Sequence, residues 1–141
     1  MRVSDYRPAI DRVLKHYGLT PEALELVSSV KDWREENEMI DETDMSSSRA
    51  AIFINKWEKT GAFHIVMRET LSREKLGEIN YVMQWRGFGD EVKMLSSESL
   101  CLLHLVLHEI AGHVLNTCEQ APRDTWAFKE MEKHKSYFQH G

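Results

Sequence analysis

Three histidines and a glutamate sit inside the most apolar stretch of the chain, Leu100 to Thr117, which reads LCLLHLVLHEIAGHVLNT. Ionisable groups are costly to bury without partners. A His followed directly by Glu, with a second His close behind on the same helix, is how many zinc hydrolases hold their ion. In the short form of that motif, HExxH, the histidines are four residues apart and share a face. The Glu then acts as general base toward a water that the metal activates. Here His108 and His113 are five residues apart, with Glu109 after the first. At ~3.6 residues per turn, five steps rotate the second ring by ~140°, against ~40° for four. The two rings meet on one ion only if the helix makes a single π-type turn between them, and such turns gather at functional sites. Gly112 removes a side chain where the backbone would deform. His108 and His113 are therefore expected as ligands of Zn²⁺ and Glu109 as the catalytic base.

Within this stretch HEIAGH resembles HExxGH, the lengthened zinc motif of the dipeptidyl peptidase III family. That resemblance implies zinc on both histidines and a catalytic glutamate. It covers six residues and carries neither that family's fold nor its specificity. The layout as a whole is similar to minimal metallopeptidases of the ImmA/IrrE type, in which helices and a small sheet precede the zinc helix and a further helix brings the third ligand. In that group the third ligand is a Glu in an E-x-x-A pattern. Asp124-Thr125-Trp126-Ala127 is similar, with Asp in place of Glu, so the resemblance implies Asp124 as the third metal ligand. A carboxylate near the start of the next helix also suits zinc, which takes three protein ligands plus water in catalytic sites. Glu119, Glu130 and His134 are its rivals, and His134 or Tyr137 are alternatives for steadying a developing oxyanion.

A second trio competes for the metal. Cys101, His104 and His108 follow one another at helical spacing on one side, but this set leaves Glu109 without a role. His104 is expected instead to be a core histidine with a hydrogen-bond partner, and Cys101 and Cys118 to be small buried residues. His16, His64 and His140 are expected at the surface, and the four tryptophans in the core.

The elements that must position this helix follow from periodicity and turn signals. Ile10, Val13, Leu14 and Tyr17 mark a helix from Pro8 to Tyr17, ended by Gly18. Thr20-Pro21 opens a second helix, whose face of Ala23, Leu26, Val27 and Val30 runs to about Trp33. Arg34 to Ser48 is acidic, then serine-rich, and reads as an exposed connection. Ala50–Trp57 and Ala62–Arg68 form a β-hairpin about Gly61, with Phe53 and Trp57 on one face and Ile52 and Ile54 on the other. Ser72 caps a helix from Arg73 to about Met83, with Tyr81 to Trp85 open to a strand alternative. Arg86 to Asp90 turns, and Glu91–Leu95 is a short strand candidate. Ser96 or Ser97 caps the central helix, with Glu98 in its positive first turn. Pro122 opens a last helix through about Tyr137. The expectation is a single α+β domain, small and zincin-like: N-terminal helices, a small antiparallel sheet or hairpin, the zinc helix and a C-terminal helix.

Composition narrows the function. A chain of 141 residues with 42% apolar and 29% charged residues can bury a core in one domain. A net charge of −5 speaks against a nucleic-acid partner. Two cysteines exclude a disulfide scaffold. The charged N-terminus lacks a signal peptide's apolar core, and His104, His108, Glu109 and His113 break the only long apolar run. A cytoplasmic protein with no membrane partner is expected. The resulting expectation is a zinc metallopeptidase acting on a peptide or protein substrate aligned along a sheet edge. The competing readings are a non-catalytic metal-binding or interaction protein, and a helical module without metal.

Overall fold

The computed structural model describes residues 1–38 and 50–139. Arg7–His16 forms α1, Leu24–Val27 β1, Val30–Glu36 α2, Ala51–Trp57 β2, Ala62–Arg68 β3, Arg73–Trp85 α3, Glu98–Val114 α4 and Gln120–Gln139 α5. Short 3-10 turns at Val3–Tyr6, Pro21–Ala23 and Glu91–Met94 complete the described elements. The architecture is α+β, with one mixed three-stranded sheet in the order β1-β3-β2.

α1 ends as its sequence dictates. Gly18 takes φ +78°, and the N–H groups of Gly18 and Leu19 return to the carbonyls of Lys15 and Leu14, a Schellman closure. The segment after it departs from expectation. Leu24–Val27 is a strand parallel to β3, with Leu24 opposite Ile65 and Val27 opposite Arg68. The spacing of Ala23, Leu26, Val27 and Val30 fits a helix face, but a short apolar run next to a sheet edge gains more from pairing with β3. Arg34 to Glu36 close α2, Asn37 and Glu38 follow in a turn, and positions 39–48 of the expected acidic connection lie outside the described residues. Glu91–Met94 is a 3-10 turn, not a strand, and Tyr81–Trp85 completes α3.

β3 is the centre of the sheet and is buried on both faces. Phe63, Ile65 and Met67 enter the main core, while Val66 joins a smaller cluster with Val30, Trp33 and Ile52 beneath α2. This alternation is the period-two signature of a strand covered on both sides. His64, expected at the surface, is buried with Val66. Its Nε2 lies 2.9 Å from Glu25 Oε1 and its ring stacks on Trp57 at 4.2 Å. Trp57 itself falls on the Ile52 and Ile54 side, not with Phe53. The register shift between Ile54 and Trp57 is the reason, because one displaced pairing moves the following side chains to the opposite face. Trp85 departs from the core expectation entirely, at 81% exposure on α3.

α4 runs through the middle of the main core. Ser97 caps it, its Oγ accepting from the Leu100 N–H at 3.2 Å. Every residue from Ser99 to Gly112 except His108 is buried, so this helix has no solvent face until its last turn. It packs against α5, β2 and α3, and these three elements build the site. Among the described residues no helix is long and apolar enough to cross a membrane.

Candidate metal centre

α4 is α-helical without interruption from Glu98 to Val114. The π-type turn that His108 and His113 require is absent, and the two rings diverge. His113 is exposed in the last turn, its ring 5.0 Å from that of Phe63. The expectation of His113 as a metal ligand is therefore corrected: five residues of regular helix carry it off the face of His108.

His104 takes the place that His113 leaves. Four residues before His108, it shares that residue's face, and α5 brings Asp124 against both. His108 Nδ1 lies 2.6 Å from Asp124 Oδ1, and His104 Nε2 lies 3.5 Å from the same oxygen. One ligand atom from each of the three residues falls within 4.8 Å of the others. Asp124 is 0% exposed and His104 is 2% exposed. Both nitrogens of His104, Nδ1 of His108 and Oδ1 of Asp124 are buried without a hydrogen-bond partner. The short His108–Asp124 approach is thus a close polar contact that lacks the alignment of a directed N–H···O bond. A carboxylate oxygen and histidine nitrogens that converge without satisfying one another suit a cation bound at distances of ~2 Å. His104 is in the core, as expected, and the polar group it faces is Asp124, whose Oδ1 lies 3.5 Å from Nε2 without the alignment of a strong hydrogen bond.

Two arginines that the motif did not signal hold this arrangement. Arg86, capping the C-terminus of α3, donates from Nη1 to Asp124 Oδ2 at 3.1 Å. One carboxylate oxygen is thus anchored while the other faces the histidines, the outer-shell pattern common to metal-ligating carboxylates. Arg123 is 4% exposed and donates from Nε to the His108 carbonyl at 3.2 Å and from Nη1 to that of Cys118 at 3.4 Å. Its Nη2 is 3.8 Å from Glu109 Oε1, and its guanidinium covers the Phe53 ring at 4.6 Å. Glu109 is buried, with Oε2 unpartnered.

Electrostatics follow this geometry. Burial works to raise the Asp124 carboxyl, but His104 and His108 outweigh it and hold that carboxyl well below its ordinary value. Burial lowers His104, and Asp124 only partly offsets this. Both directions favour a bare carboxylate and a neutral imidazole, the protonation states that bind metal. The site opens into a cavity of about 620 Å³ lined by His104, His108, Glu109, Arg86, Asp124, Ala50 and the β2 residues Ala51–Phe53.

The remaining candidates lie elsewhere. Cys101 is buried with Sγ 3.7 Å from the Leu95 carbonyl, and burial raises its thiol. Cys118 is exposed rather than buried. Glu119 is exposed. Tyr137 is 44% exposed at the far end of α5. His140 lies outside the described residues.

Glu130 and His134 belong to a separate cluster at the end of α1. Tyr17 Oη donates to Glu130 Oε1 at 2.9 Å and lies 2.9 Å from His134 Nε2. Since the single hydroxyl proton goes to Glu130, neutral His134 carries its proton on Nε2. The exposed His16 ring stands edge-on to His134 at 4.8 Å, and Lys133 pairs with Glu130. Burial and then His16 lower His134 below 6.5, against the pull of Glu130. The unfolded chain then binds more protons on this group than the folded one, so stability is whole above about 6.5 and falls as pH drops through it. Urea titrations at a series of pH values should show a steeper loss between pH 7 and 5 for the wild type than for His134→Gln. Parallel curves would exclude His134 as the source.

Compared with family models, curated proteins and solved structures, the chain matches none, so its chemistry rests on its own residues.

Proposed function

We propose that this protein is a zinc-dependent hydrolase of peptide bonds with a zincin-like arrangement, in which His104, His108 and Asp124 hold the ion and Glu109 takes the proton from the attacking water. One observation carries the reading: three buried ligand atoms converge, unsatisfied, on a cavity that Glu109 also lines. Three protein ligands leave a coordination position free, which separates catalytic from structural zinc sites. When bound there, zinc would supply Lewis-acid activation of water and of the substrate carbonyl.

The chain's own residues account for the rest. Glu109 keeps one oxygen beside Arg123 and the other free, so Oε2 is the proton acceptor. The water oxygen bonds to the carbonyl carbon, the C–N bond breaks, and Glu109 returns the proton to the departing amine. Among the described residues β2 is paired on one side only, and its residues line the cavity. An extended peptide pairing with that edge would lay its carbonyls along the site. A cytoplasmic setting suits two free thiols, one of them exposed.

A non-catalytic metal-binding protein is the second reading, favoured by one detail: Glu109 follows the second ligand, not the first as in HExxH, which moves it along the helix. Zinc-loaded wild type and Glu109→Gln separate the two. The hydrolase reading expects one zinc per chain in both, with peptide cleavage slowed ~100-fold or more by the substitution. Loaded wild type that cleaves no member of a mixed peptide library, or equal rates in both proteins, would leave the binding reading standing. The same metal analysis reports ferrous iron, which two histidines and one carboxylate also suit.

A further inference from the structure

Three cationic side chains line the cavity, and their contacts differ. Lys75 Nζ is held by Glu78 at 3.2 Å on its own helix. Arg123 faces Glu109 and spends its other donors on backbone carbonyls. Arg86 has Nη1 on Asp124 Oδ2, but its side chain keeps 32% exposure and lines the cavity. The charged groups around the cavity are Lys75, Arg86 and Arg123 against Glu78, Glu109 and Asp124, which cancel. A divalent cation on Asp124 Oδ1 leaves an excess of two positive charges in a recessed site. An activated water neutralises one of them at most. Uncompensated charge in such a place is costly and is met by an anion.

Resting on the hydrolase reading above, we propose that the substrate carries a carboxylate close to the bond that is cut, and that Arg86 receives it. The planar guanidinium presents several N–H donors at fixed spacing and matches a carboxylate edge to edge. One arm on Asp124 sets its orientation beside the metal centre, so ligand anchor and substrate receptor are one side chain. A cavity of about 620 Å³ is of small-ligand size. The chemistry is therefore that of a short acyl-amino acid or peptide end with its free carboxylate.

Calorimetric titration of the zinc-loaded full chain tests this with two uncleavable ligands: acetyl-dialanine with a methylene in place of the scissile N–H, as the free acid and as the C-terminal amide. The acid should bind wild type roughly 10-fold or more tighter than the amide, as a hydrogen bond to a charged group would give. Arg86→Gln, which should hold zinc ~10–100-fold more weakly for want of the Asp124 anchor and is therefore titrated at a zinc concentration that keeps its site loaded, should bring the two ligands level, and Arg86→Lys should keep part of the preference. Equal binding of acid and amide to wild type, binding of neither, or a preference that survives in Arg86→Gln overturns the proposal. If Arg86→Gln does not fold, the wild-type ratio and Arg86→Lys decide. Wild type that takes up no zinc fails earlier, before any ligand is added, and overturns the hydrolase reading along with the proposal.

Discussion

Alanine at position 104 should weaken zinc binding by on the order of 100-fold or more, while alanine at position 113 should leave it unchanged. Loss of an outer-shell partner alone costs metal sites ~10–100-fold, and a direct ligand costs more. His104 points at the Asp124 oxygen from 3.5 Å with both its nitrogens unsatisfied, whereas His113 is exposed and rests on Phe63. Asp124→Asn should behave like His104→Ala, because a neutral amide neither balances the cation nor supplies a second charged oxygen for Arg86. Equilibrium dialysis of zinc against each variant, with circular dichroism to confirm folding, reads the contrast. Tight binding by His104→Ala together with loss in His113→Ala would restore the lengthened HExxGH motif and refute His104, His108 and Asp124 as the ligand set.

Gly112→Ala should destabilise the fold by about 1–2 kcal/mol, although alanine normally strengthens a helix interior by ~1 kcal/mol over glycine. A Cβ built at Gly112 meets the Phe53 ring at 2.4 Å. That ring cannot step aside freely: Arg123 covers it at 4.6 Å and Phe63 lies 5.7 Å away. Overpacking therefore wins over propensity. The displaced ring would also disturb Arg123, which supports the His108 carbonyl and faces Glu109. Phe53→Leu should relieve the clash, so the double variant should be more stable than the sum of the two single losses predicts. Denaturant midpoints for the four proteins of that cycle decide it. A stabilised Gly112→Ala, or strict additivity, would show that β2 yields to the added methyl at no cost. Gly112 is thus required for close approach to β2, not for the helix distortion that the HExxGH spacing suggests.

Most of the secondary structure was legible because its signals are local. The Tyr17-Gly18 stop, Gly61 in the hairpin, and Ser72 and Ser97 as caps each act within four residues of the chain. Where the reading failed, long-range pairing decided. β1 had a helix-like spacing, yet β3 offered it a ladder some 41 residues away in sequence, Leu24 against Ile65. Trp57 changed face because of an irregular pairing that no alternation of residue types reveals.

The same division runs through the site. From sequence alone it follows that one buried helix carries histidines and a glutamate, and that a further helix follows it. Both statements depend only on apolar content and helical spacing; Asp124 was singled out from its rivals only by a resemblance. Which histidine shares a face with His108 was decided by the regularity of α4, which the structure showed. His104 and His113 both lie near enough in sequence, one on each side, and a regular helix brings only the four-residue neighbour onto the shared face. The approach of α5 then turned that face into a site by placing Asp124 on it, with Arg86 arriving from α3 and Arg123 tying the two helices together. No spacing in the sequence encodes those contacts, because Arg86 and Asp124 are 38 residues apart and meet only when α3, α4 and α5 pack.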